Sequence, residues 1–206
     1  MTYAIIPVNK LSKAKTRLIG TLAKEKRGEL ILHMLEDVLK ALDETECQTI
    51  VISSDNLKDN IPRDIIFLDE GDRRMGLNRA VKYANQYAIK KGAKATLFIP
   101  ADTPLIKKRH IEDILKLGEK HPLIISPARH GGTAILYRKP PDIIRERFTK
   151  TSYIDYQKEA EAKGLELKVY DSYCLSLDID KEEDINEFMI HGKGTATYDY
   201  LKDMGW

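Results

Sequence analysis

Tyr3-Ala4-Ile5-Ile6-Pro7-Val8 runs straight into Asn9-Lys10-Leu11-Ser12-Lys13-Ala14-Lys15-Thr16-Arg17-Leu18. The opening run is apolar and β-branched without in-and-out alternation, the pattern of a strand covered on both faces, as in a mainly parallel sheet. The stretch after it turns polar at once and concentrates Lys10, Lys13, Lys15 and Arg17. Similar short runs at 48–53, 65–68, 95–99, 123–126, 133–137 and 165–170 are each followed by a helical pattern or a polar loop. Between the first two runs, Leu30, Ile31, Met34, Leu35, Val38, Leu39 and Leu42 keep the three-and-four spacing of a helix covering one sheet face. Further helices are predicted over 77–90, 110–118, 153–163 and 181–190, with Gly92, Gly118 and Gly164 as stops. The alternation predicts an α/β fold with a mostly parallel central sheet and helices on both faces.

The chain has 206 residues, a length that supports one α/β domain, and no repeat, low-complexity tract or linker divides it. The expectation is a single domain over 1–206 with 191–206 as a C-terminal appendage. Tyr198, Tyr200, Leu201 and Trp206 in that appendage can cap the domain or meet a second copy in a homodimer, and the sequence leaves both open. The 34 basic and 32 acidic side chains nearly cancel, so the broad polyanion attraction of nucleic-acid binders is missing and phosphate binding has to be local. Cys47 and Cys174 form no CxxC pair, which excludes a disulfide framework or thiolate zinc cluster. The N-terminal apolar run is too short for a signal peptide or membrane span. A soluble, cytoplasmic protein with no nucleic-acid or membrane partner is expected.

In open α/β sheets, ligands lie beyond the carboxyl ends of the strands, so the residues just after each apolar run matter most. Here they are the basic loop, Ser53-Ser54-Asp55, Pro100-Ala101-Asp102-Thr103-Pro104 and Ser126-Pro127-Ala128-Arg129-His130-Gly131-Gly132-Thr133. Lys and Arg in a loop with free backbone N–H groups suit a triphosphate, although a solvated basic loop has the same composition. A P-loop and a dinucleotide fingerprint are both missing, and Gly192-Lys193-Gly194 lacks the setting for either.

Asp102, framed by Pro100 and Pro104, is held at the sheet edge. If 176–180 is extended, Asp178 and Asp180 share one side, and convergent carboxylates make a hard oxygen site suited to Mg²⁺. Asp180 could equally cap the helix beginning near Lys181. The Arg129 to Thr133 segment offers a cation, two glycines and a hydroxyl for close approach to an anion, or a plain turn between strands. His33, His110, His121 and His191 read as surface or packing residues.

Taken together, Pro7-Val8 with Ala14-Lys15-Thr16-Arg17-Leu18, Gly76-Leu77-Asn78-Arg79-Ala80, Pro100-Ala101-Asp102, Ser126-Pro127 with Arg129-His130-Gly131-Gly132-Thr133, and Leu177-Asp178-Ile179-Asp180 with Glu183-Asp184 resemble the CofC family, the 2-phospho-L-lactate guanylyltransferases of coenzyme F(420) biosynthesis. The motifs span nearly the whole chain in the family's order. The resemblance implies a nucleotide-diphospho-sugar transferase-like fold and transfer of GMP from GTP to 2-phospho-L-lactate with release of pyrophosphate.

It further implies Lys15, Arg17 and Asp102 as catalytic residues, with Lys15 and Arg17 on the triphosphate. Pro7, Val8, Ser54 and Asp55, with Leu77, Asn78 and Ala101, would surround the nucleotide. Arg129, Gly132, Thr133 and Ser152 would meet the substrate phosphate, and Asp102, Asp178 and Asp180 would hold Mg²⁺. The chain departs from the family's pattern at Asn9, where Lys is usual, at Ala128, where Asp is common, at Ala134, where Asn or Gly is usual, and at Thr149, where Gly would stand. Relatives use phosphoenolpyruvate or a phosphoglycerate as the acid. The rival readings are a sugar-phosphate or cytidylyl transferase of the same fold and a non-catalytic nucleotide sensor.

Overall fold

The computed structural model describes residues 1–71 and 76–206. Among the described residues, the strands are β1 (Thr2–Val8), β2 (Cys47–Ser53), β3 (Ile66–Asp69), β4 (Ala95–Phe98), β5 (Leu123–Pro127), β6 (Thr133–Arg138) and β7 (Leu167–Val169). They form one sheet in the order β3-β2-β1-β4-β6-β5-β7. All neighbours are parallel except the two pairs made by β6, which runs against both β4 and β5. Phe98 pairs with Leu136 and Thr96 with Arg138, so β6 begins at the rim where β1 and β4 end.

The unbroken apolar character of the strands follows from coverage on both sides. Ile5 and Ile6 are both 0% exposed, and they face opposite cores. Burying each such side chain stabilises the fold by about 1.5–3 kcal/mol before ordering costs. Helix α1 (Lys24–Leu42) lays its predicted stripe of Leu30, Ile31, Met34, Leu35, Val38, Leu39 and Leu42 on the Ile6 face. That face also receives α3 (Lys108–Leu117), the short α5 (Tyr173–Ser176) and α6 (Glu182–His191). The Ile5 face is covered by α2 (Leu77–Lys90) and α4 (Ser152–Ala162).

Every predicted strand and helix is present, with ends shifted by no more than two residues; β7 is trimmed at both ends of its apolar run. Gly92 and Gly164 end their helices with positive φ values of 80° and 63°. Gly118 ends α3 for another reason. Its backbone stays right-handed, and a Cβ there would run into the Tyr137 ring.

The C-terminal appendage folds onto α1. Helix α7 (Ala196–Asp203) is started by Asp37 of α1, whose carboxylate accepts hydrogen bonds from Ala196 N (2.8 Å), Thr197 N (3.0 Å) and Thr197 Oγ1 (2.6 Å). Tyr200 stacks on His33 at 4.5 Å, and Leu201 is fully buried. Of the two roles left open by sequence, capping the domain is the one these contacts perform. Among the described residues, no helix is long and apolar enough to cross a membrane.

Candidate active site

The C-terminal rim of the sheet gathers side chains from five segments. The polar stretch after β1 folds into two short helical turns, Leu11–Lys13 and Thr16–Leu18, joined through Lys15. Lys15 adopts a left-handed backbone (φ 50°, ψ 47°), a conformation that costs a residue with a Cβ about 1–2 kcal/mol. Three fixed points hold the loop. Asp55 Oδ2 accepts from Leu11 N at 2.7 Å, and buried Arg27 donates to the carbonyls of Ala14 (3.3 Å) and Leu22 (2.8 Å). The third is Lys15, whose Nζ donates to Asp102 Oδ2 at 2.6 Å and Asp180 Oδ1 at 2.9 Å.

Asp102 and Asp180 are thus brought to one point from opposite ends of the sequence. Asp102 sits in the turn after β4, where Thr103 Oγ1 donates to the Pro100 carbonyl (2.9 Å) and buried Leu105 and Ile106 anchor the exit. In the segment before α6, Leu177 and Ile179 are fully buried while Asp178 and Asp180 turn toward the rim. The capping role considered for Asp180 belongs instead to Asp184, which accepts from Asp180 N (2.9 Å) and Lys181 N (2.8 Å). This leaves the Asp180 carboxylate to face Lys15 and, through Oδ2, Arg17 Nη1 at 3.1 Å.

The electrostatics follow from this crowding. Desolvation of the Lys15 ammonium works against its charge, but Asp102 and Asp180 outweigh it and raise its pKa. Desolvation would raise Asp180, yet Lys15 and then Arg17 hold it below the ordinary carboxylate range. Asp178 feels the Lys15 charge only weakly, and among the described residues it has no ion pair. Burial, then the neighbouring Asp102 and Asp180 charges, push it up. Ligand oxygens of Asp102, Asp178 and Asp180 lie within 4.8 Å of one another. Three convergent hard oxygen donors, two of them bridged by the Lys15 ammonium, fit Mg²⁺ or Mn²⁺ and do not fit a soft metal.

Two connected cavities open around this point. One, of about 350 Å³, is lined by Pro7, Lys15, Arg17, Ala101, Asp102 and Asp180. The other, of about 420 Å³, is lined by Gly132, Thr133, Phe148, Ser152, Leu175 and Asp178. Leu77, Phe98, Pro100 and Asp102 line both. A groove of about 1010 Å³ beside α1 and another of about 730 Å³ at the far end of the strands are larger. Neither has a convergent set of catalytic groups, whereas the rim cavities carry clustered cations, carboxylates and hydroxyls.

In the second cavity, Thr133 Oγ1 and Ser152 Oγ are 2.8 Å apart. Gly131, with φ 85°, lets the β5–β6 turn press on the chain at Lys150, where a Cβ would stand 3.0 Å from the carbonyl oxygen. The helices α2 and α4 begin beside these cavities, so the positive ends of their dipoles add positive potential there.

The remaining residues named from sequence take other positions. Arg129 does not line either cavity: its Nη2 donates to Glu187 Oε1 at 2.6 Å, Nη1 pairs with Oε2, and the guanidinium lies 5.1 Å from the Tyr173 ring centroid. Asn78 has its amide engaged by Phe148 on both sides, and Asp55 supports the basic loop. Val8 is buried beneath the rim and Ser54 is half-buried beside Asp55. Arg27, Glu187 and Phe148 were missed by sequence reasoning, and Asp184 was named there only within the family motif, without its capping role. Asp184 carried a signal, being three residues past the cap position of α6. The others act through long-range contacts with no local pattern.

A family model described as guanylyl transferase CofC like matches residues 2–206. The 2-phospho-L-lactate guanylyltransferase of Methanocaldococcus jannaschii is 41% identical over 201 residues, covering 98% of this chain and 88% of that protein. A protein from Desulfovibrio desulfuricans G20 assigned as a nucleotide-diphospho-sugar transferase superposes with a TM-score of 0.83 at 20% identity, covering 98% of this chain and 94% of that one. Rv0371c from Mycobacterium tuberculosis H37Rv, crystallised as a complex with manganese, gives 0.56 at 10% identity, covering 92% and 97%. The two structural likenesses establish the nucleotide-diphospho-sugar transferase fold. With the family model spanning the chain and the archaeal relative matched along almost its full length, this protein belongs to the CofC-like guanylyl transferase family.

Proposed function

We propose that the protein transfers GMP from GTP to 2-phospho-L-lactate, forming lactyl-diphosphoguanosine and releasing pyrophosphate, as a cytoplasmic, Mg²⁺-dependent step of coenzyme F(420) biosynthesis. The observation that carries this is the meeting of Lys15, Asp102 and Asp180 where two cavities join at Asp102. The first cavity, with Lys15 and Arg17, suits a triphosphate. The second, with its hydroxyl pair set in a mainly apolar wall, suits a short phosphorylated acid.

A phosphate oxygen of the acid attacks the α-phosphorus of GTP, and the bond from that phosphorus to the bridging oxygen breaks. The substrate phosphate is already anionic at neutral pH, so no protein base is required. The chain's task is alignment and charge screening. Lys15 and Arg17 offset charge on the departing pyrophosphate, while Thr133 and Ser152 donate hydrogen bonds to the acid's phosphate. Asp102, Asp178 and Asp180 would hold Mg²⁺, which when bound supplies Lewis-acid stabilisation of phosphate oxygens.

Pyrophosphate release should be measured with GTP, ATP, CTP and UTP against 2-phospho-L-lactate, phosphoenolpyruvate and 3-phosphoglycerate. GTP with 2-phospho-L-lactate should give the highest kcat/KM. Preference for another acid would replace the substrate but keep the reaction. Nucleotide binding without release from any pair would leave a sensor.

A further inference from the structure

Lys15 reaches the position in this protein that a bound cation would seek. Its Nζ touches one oxygen each of Asp102 and Asp180, two of the three carboxylates whose ligand atoms converge within 4.8 Å. Its side chain is only 4% exposed, against 53% for Arg17 on the same loop. A divalent ion contacts carboxylate oxygens at about 2.0–2.1 Å, so an ion bridging these oxygens would stand against the ammonium itself. Two cations cannot share that space without water between them.

The backbone supplies the second state. Lys15 holds a left-handed conformation at the junction of two short helical turns, and such strain at a loop junction favours release when its compensating contacts are lost. The cavity beside it is lined by Lys13, Arg17 and Thr16, the side on which a triphosphate would lie.

We propose that Lys15 is a placeholder cation: its ammonium neutralises Asp102 and Asp180 until a nucleotide arrives, then moves onto the phosphates and yields the carboxylates to the metal. The nucleotide and the divalent ion then enter together, and the free protein binds the ion poorly. This rests on the metal-dependent reading above and adds to it an order of binding.

The probe is Mn²⁺ alone, followed by electron paramagnetic resonance with the full chain and no nucleotide. Lys15→Met should bind Mn²⁺ at least tenfold more tightly than wild type, while Lys15→Arg, which keeps a cation on the loop, should not gain. If Lys15→Met is destabilised by its facing carboxylates, Mn²⁺ should raise its Tm more than that of wild type. Wild-type protein gives a test free of folding effects: acylation of Lys15 by an amine-reactive reagent, read by peptide mass spectrometry, should rise several-fold across a Mn²⁺ titration to millimolar concentration, with Lys13 unchanged.

Equal Mn²⁺ affinity in wild type and Lys15→Met, or a Lys15 adduct yield that stays unchanged at a Mn²⁺ concentration where the resonance signal shows the ion bound to wild type, overturns the placeholder. The metal-dependent reading fails separately, through wild-type turnover in Asp102→Asn and Asp180→Asn.

Discussion

Asn78 grips the backbone of Phe148 from both sides: its Oδ1 accepts from Phe148 N at 2.6 Å and its Nδ2 donates to the Phe148 carbonyl at 3.3 Å. The grip ties the start of α2 to the wall of the second cavity, where the Phe148 ring packs on Phe98 at 4.0 Å between centroids. Asn78→Ala should therefore loosen the acid side of the site. The expected result is a rise in KM for the phosphorylated acid of about tenfold, with KM for GTP changed less than about twofold. A larger effect on GTP would mean that Asn78 contacts the nucleoside directly.

Under the proposed metal-dependent transfer, Asp102→Asn and Asp180→Asn should each lower pyrophosphate release by about 10²-fold or more, the scale on which removing a group aimed at developing charge is felt. Circular dichroism should show both variants folded. Turnover near that of wild type in both would remove the acidic cluster from the chemistry.

The Arg129–Glu187 pair predicts a pH signature. Hydrogen bonds from Arg129, then from Tyr173, hold the Glu187 carboxyl down at about 2, below its ordinary value of 4.5. A depressed folded-state pKa means that the pair's contribution is full above the ordinary glutamate range and vanishes as pH falls through about 2. Solvent screening at this exposed site limits it to under about 1 kcal/mol. In urea titrations, Glu187→Gln should unfold earlier than wild type at neutral pH, with the two midpoints converging as the medium is acidified. A gap that stayed constant down to pH 2 would contradict this assignment.

Asp37→Ala should unfasten the C-terminal segment. It removes one buried acceptor from three donors, at a cost of about 2–4 kcal/mol, since hydrogen bonds to a charged group are the stronger kind. Limited proteolysis should then clip the chain within 191–206 faster than in wild type, and the urea midpoint should fall. Unchanged cleavage would show that Leu201 and Trp206 hold the segment by packing alone.

The strands and the face of α1 were legible because burial on two sides writes itself into composition and spacing: Ile5, Ile6 and the Leu30-to-Leu42 stripe needed no partner to be recognised. Asp102, Lys15 and Asp180 were legible as candidates because each follows a strand or a buried alternation, and parallel strands send such positions to one rim. Partner choice was not legible. Nothing near Arg129 announces Glu187, and nothing near Asn78 announces Phe148, because those pairings are made across the tertiary fold. The helix α7 escaped notice for a similar reason: its first N–H groups are satisfied by Asp37, far away in the chain.

The reversed strand β6 gives the molecule a seam. Strands β3, β2, β1 and β4 form a parallel block that fixes the loop bearing Lys15, whereas Thr133 enters the rim from a hairpin attached through β6. Insertions or exchanges in the tip of that hairpin, residues 128–132, would reshape one chamber without altering the register of the ladders beneath the other. Under the proposed function, a scaffold so divided can change its acceptor molecule by swapping a single appendage of the sheet, and keep its donor machinery intact.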